Sequence, residues 1–417
     1  MYYFVTLLFV ILSSKATFFD LSNICWLLID VVILWVGFEK QRFSKSDLRL
    51  FYKFSLIYVG FCTVRSLFLT DLPFSYWVSD IIFLFKYVLT SFLFCALLKE
   101  KAVYYLIKVI FHLTVISIPI FCLQLVAGDL VYAFGKLINF PHAHFSGYVN
   151  FLIFTYIKQH PFQNSGFSWE PGAFGFFLNL TLLLNFLTND FTFDKKAKWF
   201  VVATITTLST TTYIGLMFIL LLYFRARGVQ FLKLLFFIVP ILLVFAATVP
   251  FLSDKIVFTY DKDMQDMKNI QTLSDYYIQR GQEMPLNRFA SLLYLIKLFG
   301  IQLIWGVSNI YEKTVPILKN INISNGIFAF FAQFGLVGLA FLVQRCYIFF
   351  RKFTENIELS VYCVLVLLIF GFSECIFVSS LVLCFLFLYY YAAPEASLSE
   401  YAEDELLSST DTTEPAY

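Results

Sequence analysis

Charge is what this chain has least of. Only 14% of its 417 residues are Asp, Glu, Lys or Arg, against about 25% in an average soluble protein, and so sparse a set excludes an ordinary water-soluble domain. The chain has no Cys-x-x-Cys pair, no Cys/His zinc spacing and no HExxH stretch, which excludes the familiar zinc centres. Its eight cysteines, Cys25, Cys62, Cys95, Cys122, Cys346, Cys363, Cys375 and Cys384, lie in or at the edges of apolar segments, where no disulfide would staple a polar loop. Histidine is scarce. His142 and His144 alternate around Ala143 in a Pro-bearing loop, and with His112 and His160 they read as solvated. The first apolar run lacks a basic leader and is expected to be retained as a span. The net charge of +2 says nothing about partners; no nucleic-acid partner, no cofactor and no metal are expected.

What is present is apolar. Hydrophobic residues make up 60% of the chain, aromatics 20%, with 54 Phe, and the mean hydropathy is +0.78. This composition specifies an all-α polytopic membrane protein. A span of about 20 apolar residues, shorter for broken helices, fits near 2–14, 20–38, 48–68, 76–98, 103–126, 171–188, 196–209, 211–224, 230–251, 326–345, 357–373 and 375–391, about 12 transmembrane helices. Lys40, Arg42, Lys45 and Arg49, then Lys99 with Lys101, Lys195 with Lys196 and Lys198, Arg225 with Arg227, and Arg345 with Arg351 and Lys352 mark the cytoplasmic ends. Between Lys198 and Arg225 lie 26 uncharged residues, which as one helix would strand Arg225 outside. A hairpin turning at Ser209-Thr210-Thr211-Thr212 returns both ends inside, and hydroxyl and β-branched residues suit a turn better than a helix interior. A membrane domain of 1–391 then carries two long outer, periplasmic loops, about 127–170 and 252–325, and 392–417 is an acidic disordered cytoplasmic tail. Both termini are expected in the cytoplasm.

The polar residues left over gather on the outer face. Glu170 opens a span in Gly166-Phe167-Ser168-Trp169-Glu170-Pro171-Gly172-Ala173-Phe174-Gly175, with Pro171 in the first turn, where its missing N–H costs nothing. A Glu-Pro pair is also simply a good helix start. Ser209 to Tyr213 form the hairpin turn, Arg288 begins a helix with an interfacial pattern over 287–300, and Glu374 falls in the turn between the last two spans. Arg288 serves equally as a headgroup anchor, and Glu374 as a plain loop residue. Trp77, Trp169 and Trp305 fall at outer ends and Trp199 at an inner one, as an aromatic belt requires. Asp261-Lys262-Asp263 matches a metal-binding DxD but reads as a solvated face. Lys86, midway through the fourth span, either pairs with Asp30 or extends its ammonium outward.

The Gly-Phe-x-x-Glu-Pro-x-x-x-Gly stretch at Gly166 to Gly175, the Ser-Thr-x-x-Tyr turn at Ser209 to Tyr213, the Arg followed by Gly300 and Trp305-Gly306, and the run Phe334-Gly335-Leu336-Val337-Gly338 together resemble the O-antigen and capsular polysaccharide polymerase and ligase family, its Wzy-type polymerases above all. The resemblance spans roughly 50–390. It implies a GT-C-like fold in the bacterial inner membrane, whose two outer loops assemble a metal-independent glycosyltransferase site, and an undecaprenyl-pyrophosphate-linked oligosaccharide as substrate, with a flippase and a chain-length regulator as possible partners. In such a reaction Arg288 suits the bidentate binding of the departing pyrophosphate. Glu170 suits the removal of the acceptor hydroxyl's proton, or fixes Arg288. Trp169, Ser209, Thr210, Tyr213, Glu374 and Lys158 would line the substrate. Two departures stand out. Gln163-Asn164 replace an arginine that many members carry before the Glu-Pro motif, so Lys158 or His160 would have to serve. The late loop has no histidine, which favours polymerase over ligase. A flippase of the same lipids fits twelve spans equally, yet no internal repeat relates the halves; a scaffold is the third reading.

Overall fold

The computed structural model describes residues 1–69, 72–140, 147–229, 261–262, 264–265, 267–279, 284–286, 288–314, 318, 321–323, 325–354, 356–373 and 375–393. The span read at 230–251, Glu374 and the acidic tail from 394 onward lie outside them. Among the described residues, three stretches are long and apolar enough to cross a membrane: Phe74–Leu137, Pro171–Thr188 and Gly326–Thr354. The first is broken at Lys99, whose φ is +50°. Shorter apolar helices accompany them, at Tyr2–Ser13, Thr210–Ala226, Ala290–Ile304, Ile357–Gly371 and Ser380–Tyr391. The chain is thus a mostly helical protein suited to a membrane.

In chain order the helices are α1 (Tyr2–Ser13), α2 (Asn23–Glu39), α3 (Lys45–Val64), α4 (Phe74–Phe83), α5 (Leu89–Leu98), α6 (Ala102–Leu137), α7 (Pro171–Thr188), α8 (Lys195–Thr206) and α9 (Thr210–Ala226). Further along the chain are α10 (Ile270–Gln279), α11 (Arg288–Phe299), α12 (Gly326–Thr354), α13 (Ile357–Ser373), α14 (Ser380–Leu383) and α15 (Phe385–Tyr391). A π-helical turn over Leu84–Val88 joins α4 to α5. Among the described residues lie two small ladders: β1 (Tyr148–Asn150) antiparallel to β2 (Thr155–Ile157), and β3 (Met284–Leu286) parallel to β4 (Ile321–Ile323).

Local chemistry sets several boundaries. Ser44 and Asp47 form a reciprocal capping box at the head of α3, and the Asp194 side chain accepts from the Ala197 N–H at 2.8 Å to start α8. The helix read as 103–126 continues to Leu137, because the chain kinks at Ala127 (φ −139°, ψ 52°) instead of ending there. The kink turns a stretch assigned to a loop into a second helical arm.

Between α8 and α9 the chain reverses at Thr207 to Ser209, with Leu208 at φ +49°. Asn164, ahead of α7, hydrogen-bonds Thr206 at the end of α8, while Arg227, after α9, donates to the Phe191 carbonyl at 2.9 Å beside the start of α8. The basic ends of both helices therefore lie together, as the hairpin requires. Other basic residues make similar ties: Arg42 to Glu100 at 3.2 Å, Lys99 to Asp47 at 3.7 Å and Arg225 to Glu358 at 2.8 Å.

Leucine and phenylalanine dominate the core. Helix α7 lies at its centre: 89% of its apolar window is buried, against 50% for α12, and Phe174, Phe176, Phe177 and Phe186 are wholly enclosed. The last helices pack onto the early ones. Ser91 donates to the Ser380 carbonyl at 2.8 Å, the Phe387 ring meets those of Phe51, Phe54 and Phe92, and the Tyr391 hydroxyl donates to Asp47 at 2.9 Å.

Candidate functional site

The head of α7 is presented by a loop with little freedom. Gly166 sits at φ +48°, and a side chain there would strike the Phe174 ring. Its carbonyl accepts from the Thr155 N–H at 2.6 Å and its N–H donates to the Asn164 Oδ1 at 2.9 Å. Asn164 in turn reaches the Thr206 hydroxyl at 3.0 Å. The loop is thus clamped between the β1–β2 hairpin and the end of α8.

Glu170 occupies the N-cap of α7, but its side chain makes no capping bond. Its Oε1 instead accepts from the Trp169 indole N–H at 2.9 Å. Both residues are half-buried. The Tyr148 hydroxyl donates to the Ala16 carbonyl at 2.6 Å. Burial pushes the Tyr148 phenol above its usual pKa, and the nearby Glu170 charge adds to the rise. Glu170 therefore borders a surface built from β1, the α1–α2 loop and α7. Because the cap position is not spent on the helix, its second carboxylate oxygen has capacity for a ligand.

Ser209 to Tyr213, expected as the hairpin turn, instead form the N-cap and first turn of α9, and they meet α7 one step beyond the residues the motif picks out. Thr212 packs where a Cβ on Gly175 would be, and Asn179 donates to the Thr212 carbonyl at 2.9 Å. Ser209 caps α9 without a side-chain bond, and Thr210 is exposed. The Tyr213 hydroxyl donates to the Ile205 carbonyl at 2.7 Å, bracing the reversal itself. Lys158 is exposed on β2's outer end and lies over the Tyr132 ring at 4.5 Å, a ring it shares with Lys136. Arg288 opens α11 as expected, but its side chain lies outside the described residues, as does Glu374. Among the described residues no cluster of three or more His, Cys, Asp or Glu is arranged for a metal; Asp263 lies outside them.

A second polar centre was not evident from sequence. Arg65 and Asp80, both fully buried, form an ion pair between α3 and α4. Arg65 also donates to the Gln333 carbonyl at 2.6 Å. Asp80 Oδ1 accepts from the Asn309 N–H at 2.8 Å and the Ser308 hydroxyl at 3.1 Å. Beside this pair Gly306 (φ +75°) and Gly335 (φ +70°) bring their backbones into contact, leaving no room for a Cβ on either. The early hairpin thus holds the Trp305 to Asn309 segment against the break in α12. Opposite charges inside two apolar spans were the available signal.

Lys86 and Asp30 do not pair. Asp30 accepts from the Thr90 hydroxyl at 2.7 Å, and Lys86 reaches the Leu21 carbonyl at 3.5 Å. A scan against protein-family models finds no match to this chain, and searches of curated proteins and of solved structures find none either.

Proposed function

We propose that this chain is a membrane glycosyltransferase that joins lipid-diphosphate-linked oligosaccharide units into a polysaccharide, in the manner of the Wzy-type polymerases its motifs resemble. The observation that carries the reading is Glu170. It is a carboxylate at the mouth of the most enclosed apolar helix, positioned by Trp169 and a rigid loop, and it is not consumed by capping. The reading includes about 12 spans, the basic end in the cytoplasm of a bacterial inner membrane, and the loops 127–170 and 252–325 on the outer side.

In the reaction an acceptor sugar hydroxyl attacks the anomeric carbon of the donor. The bond from that carbon to the diphosphate oxygen breaks, and its electron pair leaves on the diphosphate. Glu170 takes the hydroxyl proton. Arg288, at the head of α11, is assigned the developing charge on the leaving group, which a guanidinium fork matches bidentately. The decisive experiment gives purified protein in detergent only lipid-linked repeat units. A ladder of longer lipid-linked chains is expected, and Glu170→Gln should abolish it while the protein remains folded. Unchanged lipid-linked units, with fluorescent lipid-linked sugar crossing sealed vesicles instead, would replace the polymerase with a transporter.

A further inference from the structure

A charge cluster lies where the loop between α1 and α2 meets the π-helical turn Leu84–Val88. Asp20 is 6% exposed, and its Oδ1 has no hydrogen-bond donor among the described residues. Two ammonium groups neighbour it. Lys15 ends on the Cys375 carbonyl at 3.4 Å, and Lys86 on the Leu21 carbonyl at 3.5 Å, its ammonium 4.9 Å from the Tyr87 ring centre. Both contacts are long for charge-assisted bonds, which run near 2.8 Å. Among the described residues no carboxylate lies within ion-pair distance of either lysine.

The backbone is shaped to bring them together. Lys15 holds φ +54° directly after the C-cap of α1, where the helix ends and the chain turns. Lys86 sits within the π-helical turn Leu84–Val88, a local widening that is frequent at functional sites. Lys86 reaches the carbonyl of Leu21, the residue after Asp20, and Lys15 lies five positions before Asp20 in the same loop. Among the described residues, two cations against one carboxylate leave a surplus of positive charge. The surface beside it is apolar and open: Phe18, Leu21 and Phe85 are 42%, 45% and 55% exposed.

We infer that Lys15 and Lys86 form a binding site for the phosphate or diphosphate headgroup of a membrane lipid, whose hydrocarbon lies along Phe18, Leu21 and Phe85. Cations set into a greasy surface suit an amphiphile with an anionic head. Asp20 tempers the charge and keeps the two ammonium groups from repelling each other apart. The identity of that lipid rests on the proposed function: joining two lipid-linked units requires a second headgroup site besides the one where the leaving diphosphate forms, and this cluster supplies it.

The test measures binding of farnesyl diphosphate, and separately of inorganic pyrophosphate, to the full-length protein in phosphatidylcholine nanodiscs. Lys15→Gln and Lys86→Gln should each weaken farnesyl diphosphate binding by about tenfold, the effect of losing one charge-assisted hydrogen bond. The paired Lys15→Arg/Lys86→Arg variant should retain binding. Asp20→Asn should tighten it, because removing the carboxylate increases the surplus charge; damage to the fold would weaken binding in every variant alike. Unchanged affinity in both Gln variants overturns the site, and pyrophosphate binding as tightly as farnesyl diphosphate overturns the lipid. The ladder assay on the same preparations keeps the two conclusions apart: a wild-type protein that binds but forms no ladder retains this site and loses the polymerase reading.

Discussion

Removing Asp80 should damage the protein more than removing the whole ion pair. Asp80→Ala takes away the carboxylate opposite a guanidinium that is 0% exposed, and it also leaves the Asn309 N–H and the Ser308 hydroxyl without their acceptor. Breaking one partner of a buried pair costs about 3–5 kcal/mol, whereas replacing both by apolar groups of similar volume is often close to neutral. Arg65→Met combined with Asp80→Leu should therefore cost about 1 kcal/mol or a little more, the remainder arising from the lost bonds to the 308–309 backbone and side chain. The double variant should then be more stable than Asp80→Ala by about 2 kcal/mol or more. At about 2 °C per kcal/mol for a large chain, the apparent Tm of the purified protein in detergent should fall by about 6–10 °C for Asp80→Ala and by a few degrees for the double variant. A double variant no more stable than Asp80→Ala would refute the argument, because the uncompensated buried charge would then not be the source of the loss.

Two further outcomes follow from the same geometry. Gly306→Ala and Gly335→Ala should each lower yield and Tm, because both positions combine positive φ with direct backbone contact; Gly228→Ala, at φ +81° with nothing within 4 Å, should cost less, and equal losses in all three would assign the effect to φ alone. In a cysteine-free background, single cysteines at exposed Thr210 and Asn269 should both react with an impermeant thiol reagent applied from outside. Reaction of Asn269→Cys only after permeabilisation would put the late loop on the wrong side for a shared site with Glu170.

The α8–α9 reversal was legible in the sequence because charge sets its ends: basic clusters at Lys195 and Arg227 cannot both stay on one side unless the chain turns back between them. Its position was less legible. The break falls at Thr207 to Ser209, not at the row of threonines, since Leu208 accepts the left-handed conformation and Thr212 is needed inside α9 against Gly175. Glu170 was legible for its neighbours, Pro171 and Trp169, which define the helix start and the indole bond. Arg65 and Asp80 were not, because a hydropathy window averages one charge away among twenty apolar residues, and their partners Ser308, Asn309 and Gln333 lie more than two hundred positions later. Lys158 had only its sign to recommend it, and Tyr132 satisfies that sign at the surface.

The contacts of α14 and α15 with α3 and α5 carry a consequence for biogenesis. Ser380, Cys384, Phe387 and Tyr391 fill the seam that Ser91, Cys95, Phe92 and Asp47 would otherwise leave open. During synthesis the early helices emerge long before the segment that completes them, so the nascent bundle carries an unfilled apolar slot until Ser380 to Tyr391 have been made. Insertion is therefore sequential while closure is late. A chain stalled before Ser380 would present that slot to any chaperone or quality-control protease that recognises incompletely packed helices, and only the finished chain would escape.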